Sequence, residues 1–335
     1  MLDYFSIKFM NGKLCFLDQT KLPDVEEFIC TDSPERIALA IERLEIRGAP
    51  LIAIAALYGV ALAVKASEKN FYPAIERFKS TRPTAVNLFN ELRDLERFFE
   101  EDIKNQNYEA VLNFAFNYHK KDERYCENIS KIGADYIENL FNRKLNIITH
   151  CNTGALATGG MGTAFGVIYE LHRRNLVNMV FACETRPFLQ GLRLTSFELK
   201  KNKINHVIIV DSLASFIMKK EKIDLVIVGA DRIAKNGDTA NKVGTYSLAI
   251  NARYHNILFF VAAPSTTFDN EIQEGENIKI EERSPDELLS FGSSKVLFNQ
   301  INSINYSFDV TPSDLISGII TEKKVYTPPF DFSYV

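Results

Sequence analysis

The chain has 335 residues, of which 46% are hydrophobic and 24% charged, and its formal net charge is -4. That is the composition of a globular protein with length for two domains and a large core. The small acidic balance excludes a general nucleic-acid or membrane-surface binder. The N-terminus, MLDYFSIKFMNGKL, lacks a basic stretch followed by a long apolar run and does not read as a signal peptide.

Residues 1 to about 20 alternate weakly (FSIKF, KLCFL) and predict a short hairpin. Helical signals dominate from Asp32 on. SPERIALAIERLEIRG carries an N-cap candidate in Asp32 or Ser33, Pro34 in the first turn and apolar residues at helical spacing, and it ends at Gly48. Pro50 then opens a very apolar helix. The stretch from Ala49 to Val64 is short for a bilayer and fits a buried helix better. Amphipathic helices are expected over Ala85–Asp102 and Tyr108–Tyr118. The charged run His119–Ser130 leads into another, ending near Arg143. The domain boundary is expected between residues 120 and 130, giving a mainly helical N-terminal domain over 1–125 and a second domain over 126–335.

After Lys144 the period changes. Apolar runs at 145–149, 178–183, 206–211, 224–229 and 257–262 are separated by helix-like segments. This is the βαβ signature of an α/β, doubly wound parallel sheet. A late run, Ile316–Ile320, would add an edge strand or a helix.

In such sheets ligands bind at the carboxyl ends of the strands. The first strand runs into THCNTGALATGGMGTAFGVI, rich in glycine and small hydroxyl residues, which would let a backbone approach a phosphate. The spacing is neither GxGxxG nor GxxxxGK[ST]. Cys151 lies two residues past that strand, as either a buried small hydrophobe or an activated thiol. The second strand is followed by Glu184, Arg186, Gln190 and Arg193, and the third by Asp211 and Ser212. An acid after the second strand also suits the ribose of NAD, so a dehydrogenase is an alternative, although the glycine fingerprint is missing. The fourth strand breaks at Gly229 and gathers Asp231, Arg232, Lys235, Asn236, Asp238, Asn241 and Lys242. That mixture suits a small, anionic, hydroxylated ligand. In the N-terminal part, Arg47 and Arg82 stand at helix entrances, where an arginine can clamp a phosphate.

Cysteines stand at 15, 30, 126, 151 and 183, an odd number with no CxxC, so neither a disulfide framework nor a structural zinc site is expected. A reducing cytoplasm is the expected compartment. The histidines show no HxxxH or HxH spacing. No metal follows from local sequence, though ligands can converge in space.

RGAP at 47–50, TRPTAVNL at 81–88, the glycine-rich segment at 149–168, ETRPFLQG at 184–191 and GADRIAKNGDTANKVGTY at 229–246 resemble the methylthioribose-1-phosphate isomerase family. LDQTKLP at 17–23, VAAPSTTFD at 261–269, ERSPDEL at 282–288 and FDVTPSDLISGIITEK at 308–323 continue the match over nearly the whole chain. Relatives of that family include ribose-1,5-bisphosphate isomerase and the non-catalytic regulatory subunits of a translation-initiation exchange factor. The resemblance implies a Rossmann-like second domain, an aldose–ketose isomerase of methionine salvage, and a cytoplasmic homodimer without cofactor or metal. It implies a catalytic pair in Cys151 and Asp231. Arg47, Gly48, Ala49, Arg82, Gln190, Asn241 and Lys242 would hold the substrate. Thr153, Asp211–Leu213 (DSL) and Asn305–Phe308 (NYSF) depart from the family pattern, which leaves activity on 5-deoxyribose 1-phosphate or ribose 1,5-bisphosphate open.

Overall fold

Two turn residues, Asn11 and Gly12, with φ of 52° and 71°, start the fold by reversing the chain into a hairpin. The fold is taken from a computed structural model that describes residues 4–82, 86–291, 294–295 and 302–332. Its residues divide into two compact units: Met1–Glu127 with Thr153–Gly162, and Asn128–Asn152 with Thr163–Val335.

The first unit opens with an antiparallel meander, β1 (Ile7–Met10), β2 (Lys13–Leu17) and β3 (Phe28–Thr31). The expected hairpin is thus extended by a strand. The expectation of no disulfide is corrected here. Cys15 stands directly opposite Cys30 in the β2–β3 ladder and the two are bonded. An odd cysteine count says nothing about which residues face each other across a ladder.

Helix α1 (Pro34–Glu42) is capped by Ser33, whose hydroxyl accepts from the Arg36 amide. Helix α2 (Ala49–Ala66) is long and apolar enough to cross a membrane, yet its side chains from Leu51 to Val64 are buried within this unit. Its alanines allow close packing, and a Cβ on Gly59 would stand 2.1 Å from the Phe78 ring. Around it lie α3 (Phe71–Thr81), which the sequence reading left out, and α4 (Val86–Glu101). Helix α5 (Tyr108–Phe141) is continuous where two helices were expected. The charged run does not break it, because His119, Asp122, Cys126 and Ser130 fall at helical spacing and are buried, while the charges between them face water.

In the second unit, chain order runs β4 (Leu145–Thr149), α6 (Ala164–Arg173), β5 (Val177–Cys183), α7 (Ser196–Lys201), β6 (His206–Ile209), α8 (Ala214–Lys220) and β7 (Leu225–Val228). It continues with β8 (Arg232–Ala234), β9 (Thr239–Lys242), α9 (Thr245–Tyr254), β10 (Leu258–Ala262) and β11 (Phe268–Asp269). After a two-residue ladder, β12 (Ser290–Phe291) with β13 (Ser294–Lys295), come β14 (Phe308–Thr311), β15 (Gly318–Ile320) and β16 (Val325–Tyr326). Among the described residues, seven strands form one sheet in the order β16-β15-β10-β7-β4-β5-β6, parallel except for β16. Neighbouring residues on one strand go to opposite faces. Ile147, Val180, Ile227 and Phe260 join one apolar cluster, and Ile148, Phe181, Val226 and Phe259 the other. Both faces are covered, which is why these strands read as unbroken apolar runs. The expected doubly wound sheet is found.

The order has a functional consequence. From β4 the chain winds outward through β5 and β6, then returns to place β7 on the other side of β4. The switch point therefore lies between β4 and β7, where open α/β sheets form their ligand crevice.

Candidate active site

Cys151 leaves β4 two residues past its end, with φ of +62°, a conformation side chains rarely adopt. Two hydroxyls hold it there. Its amide N–H donates to Thr185 Oγ1 at 2.9 Å, and its carbonyl accepts from Thr195 Oγ1 at 2.5 Å. Thr185 Oγ1 in turn donates to the carbonyl of Cys183 at 3.0 Å. Asp211 fixes the Thr185 segment by accepting from the amides of Thr185 and Arg186, each at 2.8 Å. Next door, the Asn152 amide donates to the buried carboxylate of Glu198 at 2.5 Å. A left-handed non-glycine residue costs on the order of 1–3 kcal/mol and persists only where its surroundings over-determine it. The thiol so aimed is half-buried, whereas Cys126 and Cys183 are buried and burial pushes their thiols well above the usual range.

Asp231 follows β7, the strand beside β4, and its amide donates to Ala240 at 2.9 Å. The polar block after β7, expected as a loop, contains strands. β8 and β9 turn back at Gly237, with φ of +91°, and β14 pairs with β9. Short polar strands give no apolar run to read. They are set by pairing instead. Asp238 inside this turn accepts from the amides of Gly275 and Ser313 at 2.9 and 2.8 Å, so it braces the loop rather than facing a ligand.

The β9–β14 register fixes Asn241 opposite Asp309 and Lys242 opposite Phe308. Both Asn241 and Lys242 are buried. Lys242 Nζ donates to the carbonyl of Ser307 at 2.7 Å and lies 4.8 Å from the centre of the Phe308 ring. Asn241 donates to Thr245 Oγ1 at 3.1 Å. Asp309, which sequence reasoning missed, accepts from the amides of Gly244 and Tyr246 at the start of α9, and burial pushes its carboxyl up to about 6. Gln190 lies half-buried past β5, and its side-chain carbonyl oxygen is buried without a hydrogen-bond partner among the described residues. An orphaned acceptor of that kind suits a ligand hydroxyl. Thr185 and Asp211 lie in segments that the sequence singles out, but nothing there assigns them to Cys151, and neither Thr195 nor Glu198 is singled out. The hydrogen bonds of Thr185 and Thr195 to Cys151, braced by Asp211 and Glu198, show the clamp.

The first unit carries the other candidates. Gly48, with φ of +98°, precedes α2, and a Cβ there would stand 2.5 Å from the Ala157 backbone, so only glycine fits. No side chain caps this helix start, which begins at Ala49 and follows the half-buried Arg47. A helix start that no side chain caps offers amides to an anion. Arg82 ends α3 and is half-buried. The next part of its motif, residues 83–85, lies outside the described residues.

The glycine-rich loop differs from its expected role. Its segment Thr153–Gly162 belongs to the first unit. There Asp122 accepts from the Gly159 amide at 2.7 Å, and Gln19 donates to the Leu156 carbonyl at 2.7 Å. A Cβ on Gly159 or Gly160 would stand 2.6 Å from the His119 ring or 2.9 Å from the Cys126 Cβ. These two glycines serve close protein packing.

Although the sequence has no metal motif, His150, Cys183 and Asp211 converge in the second unit, with ligand atoms within 4.8 Å of one another. Burial holds the His150 ring below its ordinary value, so it stays neutral, while the nearby Asp211 charge acts in the opposite direction.

The model of the initiation factor 2 subunit family matches residues 45–328. A methylthioribose-1-phosphate isomerase of Caldicellulosiruptor saccharolyticus is 46% identical over 330 residues, covering 97% of this chain and 96% of the relative. The crystal structure of a 5-methylthioribose 1-phosphate isomerase from Pyrococcus horikoshii OT3 is 37% identical, with a TM-score of 0.90, covering 97% of this chain and 93% of that one. A structure described as translation initiation factor eIF-2B subunit delta from A. fulgidus is also 37% identical, with a TM-score of 0.86, covering 98% of this chain and 97% of that one.

Proposed function

This chain belongs to the initiation factor 2 subunit family, and from that premise we propose that it is an aldose–ketose isomerase converting 5-methylthioribose 1-phosphate to 5-methylthioribulose 1-phosphate in methionine salvage. The observation that supports the reading is that Cys151 and Asp231 follow β4 and β7, adjacent strands that flank the switch point.

The chemistry needs such a pair. A ring closed on a carbon that bears phosphate cannot open to a free aldehyde. A proton must reach the ring oxygen as its bond to C1 breaks. The C2 hydroxyl must lose its proton as C2 becomes a ketone, and the C2 hydrogen must arrive at C1. One acid and one base account for both proton transfers, and the product differs from the substrate by no added atom or electron. Cys151 and Asp231 are assigned these two duties. Arg47, Gly48, Ala49 and Arg82, from an N-terminal domain of phosphate-binding loops, are assigned to the phosphate end. Gln190, Asn241 and Lys242 are assigned to the sugar. Lys242 is well suited to a negative charge because a carbonyl and an aromatic face already hold its ammonium in place. No cofactor is required by a redox-neutral reaction. The assignment to a homodimer in the cytoplasm rests on the family resemblance, since the Cys15–Cys30 bond removes the cysteine argument for a reducing compartment. Sedimentation at twice the chain's mass tests the dimer.

Turnover of methylthioribose 1-phosphate, compared with 5-deoxyribose 1-phosphate and ribose 1,5-bisphosphate and with the product identified, tests the proposal. The likeness to the A. fulgidus protein favours one second reading, a non-catalytic regulatory subunit. Absence of turnover on all three sugars, with a partner protein captured instead, would establish that reading.

A further inference from the structure

We propose that His150, Cys183 and Asp211 form a binding site for a divalent transition-metal ion of the zinc class, directly behind the loop that carries Cys151. The site does not depend on the isomerase reading.

Two independent observations carry it. The first is convergence: the Nδ1 or Nε2 of His150, Sγ of Cys183 and a carboxylate oxygen of Asp211 lie within 4.8 Å of one another. The second is an orphan. His150 is 1% exposed, and its Nδ1 has no hydrogen-bond partner among the described residues. Its other nitrogen, Nε2, lies 2.9 Å from the carbonyl of Val243. A carbonyl only accepts, so Nε2 carries the hydrogen, and the neutral ring leaves a lone pair on Nδ1. That lone pair faces Asp211 Oδ1 at 3.9 Å. A buried acceptor facing a carboxylate is unfavourable unless something electron-poor stands between them.

The surroundings match those of metal ligands. A ligating histidine typically donates its remaining N–H to a carbonyl or carboxylate, which fixes its orientation. Val243 does this for His150. Asp211 is anchored by the amides of Thr185 and Arg186, which leave carboxylate lone pairs for an ion. A Cβ on Gly244 would stand 3.1 Å from the His150 ring, so the glycine there makes room for it. Asp211, whose side chain is 30% exposed, gives an ion its access path.

The donor set chooses the ion. A nitrogen, a sulfur and one oxygen favour zinc or its neighbours over magnesium or calcium, which take oxygen. At zinc-ligand bonds of about 2.0–2.3 Å, tetrahedral ligand atoms stand roughly 3.3–3.8 Å apart. The three groups would therefore draw together on binding, with solvent as fourth ligand. Cys183 binds as thiolate, so each ion bound releases the thiol proton to solvent. An occupied site would tie the ends of β4, β5 and β6 together just behind Cys151.

Cobalt(II) titration of protein freed of metal by chelation tests this. We expect one cobalt per chain, with the d–d bands of a tetrahedral centre and a thiolate-to-cobalt charge-transfer band. Zinc should displace the cobalt and raise Tm. The charge-transfer band should vanish in Cys183→Ser and persist in Cys151→Ser. Asp211→Asn and His150→Ala should weaken binding at least about tenfold. If His150→Ala does not fold, the two cysteine variants still decide. No charge-transfer band, as for a site holding only water, overturns the proposal. So does a band that survives Cys183→Ser, or one lost in Cys151→Ser, which would put the ion on the other thiol. Turnover of the metal-free protein, measured on the same preparation, tests the isomerase reading separately.

Discussion

The hydroxyl of Thr185 accepts the amide N–H of Cys151 at 2.9 Å while donating to the carbonyl of Cys183, so one fully buried side chain ties the end of β5 to the left-handed residue beyond β4. The thiol's direction is thus set by a residue 34 positions away in sequence. Thr185→Val keeps the shape and removes the hydrogen bonds. Leaving a buried N–H unpaired costs about 1–3 kcal/mol, so Tm should fall. If the hydroxyl positions the thiol, kcat should also fall by about tenfold or more, with KM little changed, and Thr185→Ser should restore it. A valine variant with lowered Tm and unchanged kcat would reduce Thr185 to a structural role.

Cys151 and Asp231 face a sharper test. General acid–base groups typically contribute about 10²–10⁴-fold each. Cys151→Ser and Asp231→Asn should each lower kcat at least about a hundredfold, with Tm near that of the parent. Were Cys151 mere packing and Asp231 mere bracing, the same changes would lower Tm and spare kcat. Measuring both quantities on both variants separates the two accounts.

What was legible in the sequence, and what was not, follows from physics. The apolar runs now seen as β4, β5, β7 and β10 were readable because a parallel strand covered on both faces must be apolar throughout. Their ends were therefore readable too, and with them the places of Cys151, Gln190 and Asp231. β3, β8 and β9 were not, being three or four residues long, with at least one polar residue each, and held by partners elsewhere in the chain. The Cys15–Cys30 bond was hidden for the same reason: it depends on the register between two strands. The glycines at 159 and 160 were visible, but their neighbours were not. A glycine in a loop signals close approach without saying whether to a ligand or to His119 and Cys126.

Glu91 gives the first unit a pH dependence. It is buried on α4, and burial pushes its carboxyl up to about 7 from an ordinary 4.5, with Asp94 and Asp122 adding in the same direction and Lys121 opposing. A raised folded value means that the folded state holds the proton more tightly than the unfolded chain. The stabilisation is therefore complete below pH 4.5 and is lost as pH rises towards 7. Asp122, raised to about 6, acts in the same sense. Glu91→Gln should flatten the decline in stability across this window, by an amount on the order of a few kcal/mol. Chemical denaturation at several pH values measures it. A parent protein whose stability rises between pH 4.5 and 7 by a path that Glu91→Gln leaves unaltered would show that Glu91 is ionised throughout.

The route of the migrating hydrogen can be read from the product. With one group serving the ring oxygen and the other the C2 hydroxyl, both Cys151 and Asp231 are committed to oxygen-bound protons. A proton route from C2 to C1 through an enediol-like species would need a third base placed over the carbons, and that base would exchange with water. A hydride needs none: it passes from C2 to the electron-poor C1 as the ring opens, and the C2 hydroxyl proton leaves to the base. The aromatic residues that follow β4, β5 and β10 in the chain, buried Phe165 and half-buried Phe188 and Phe268, favour a dry surrounding in which such a transfer is not intercepted. Conversion in D2O should therefore yield a ketose with no deuterium at C1, and substrate deuterated at C2 should carry its label to C1 intact. Solvent deuterium at C1, seen by NMR at low conversion, would mean that the hydrogen travels as a proton and that a further base acts at the carbons.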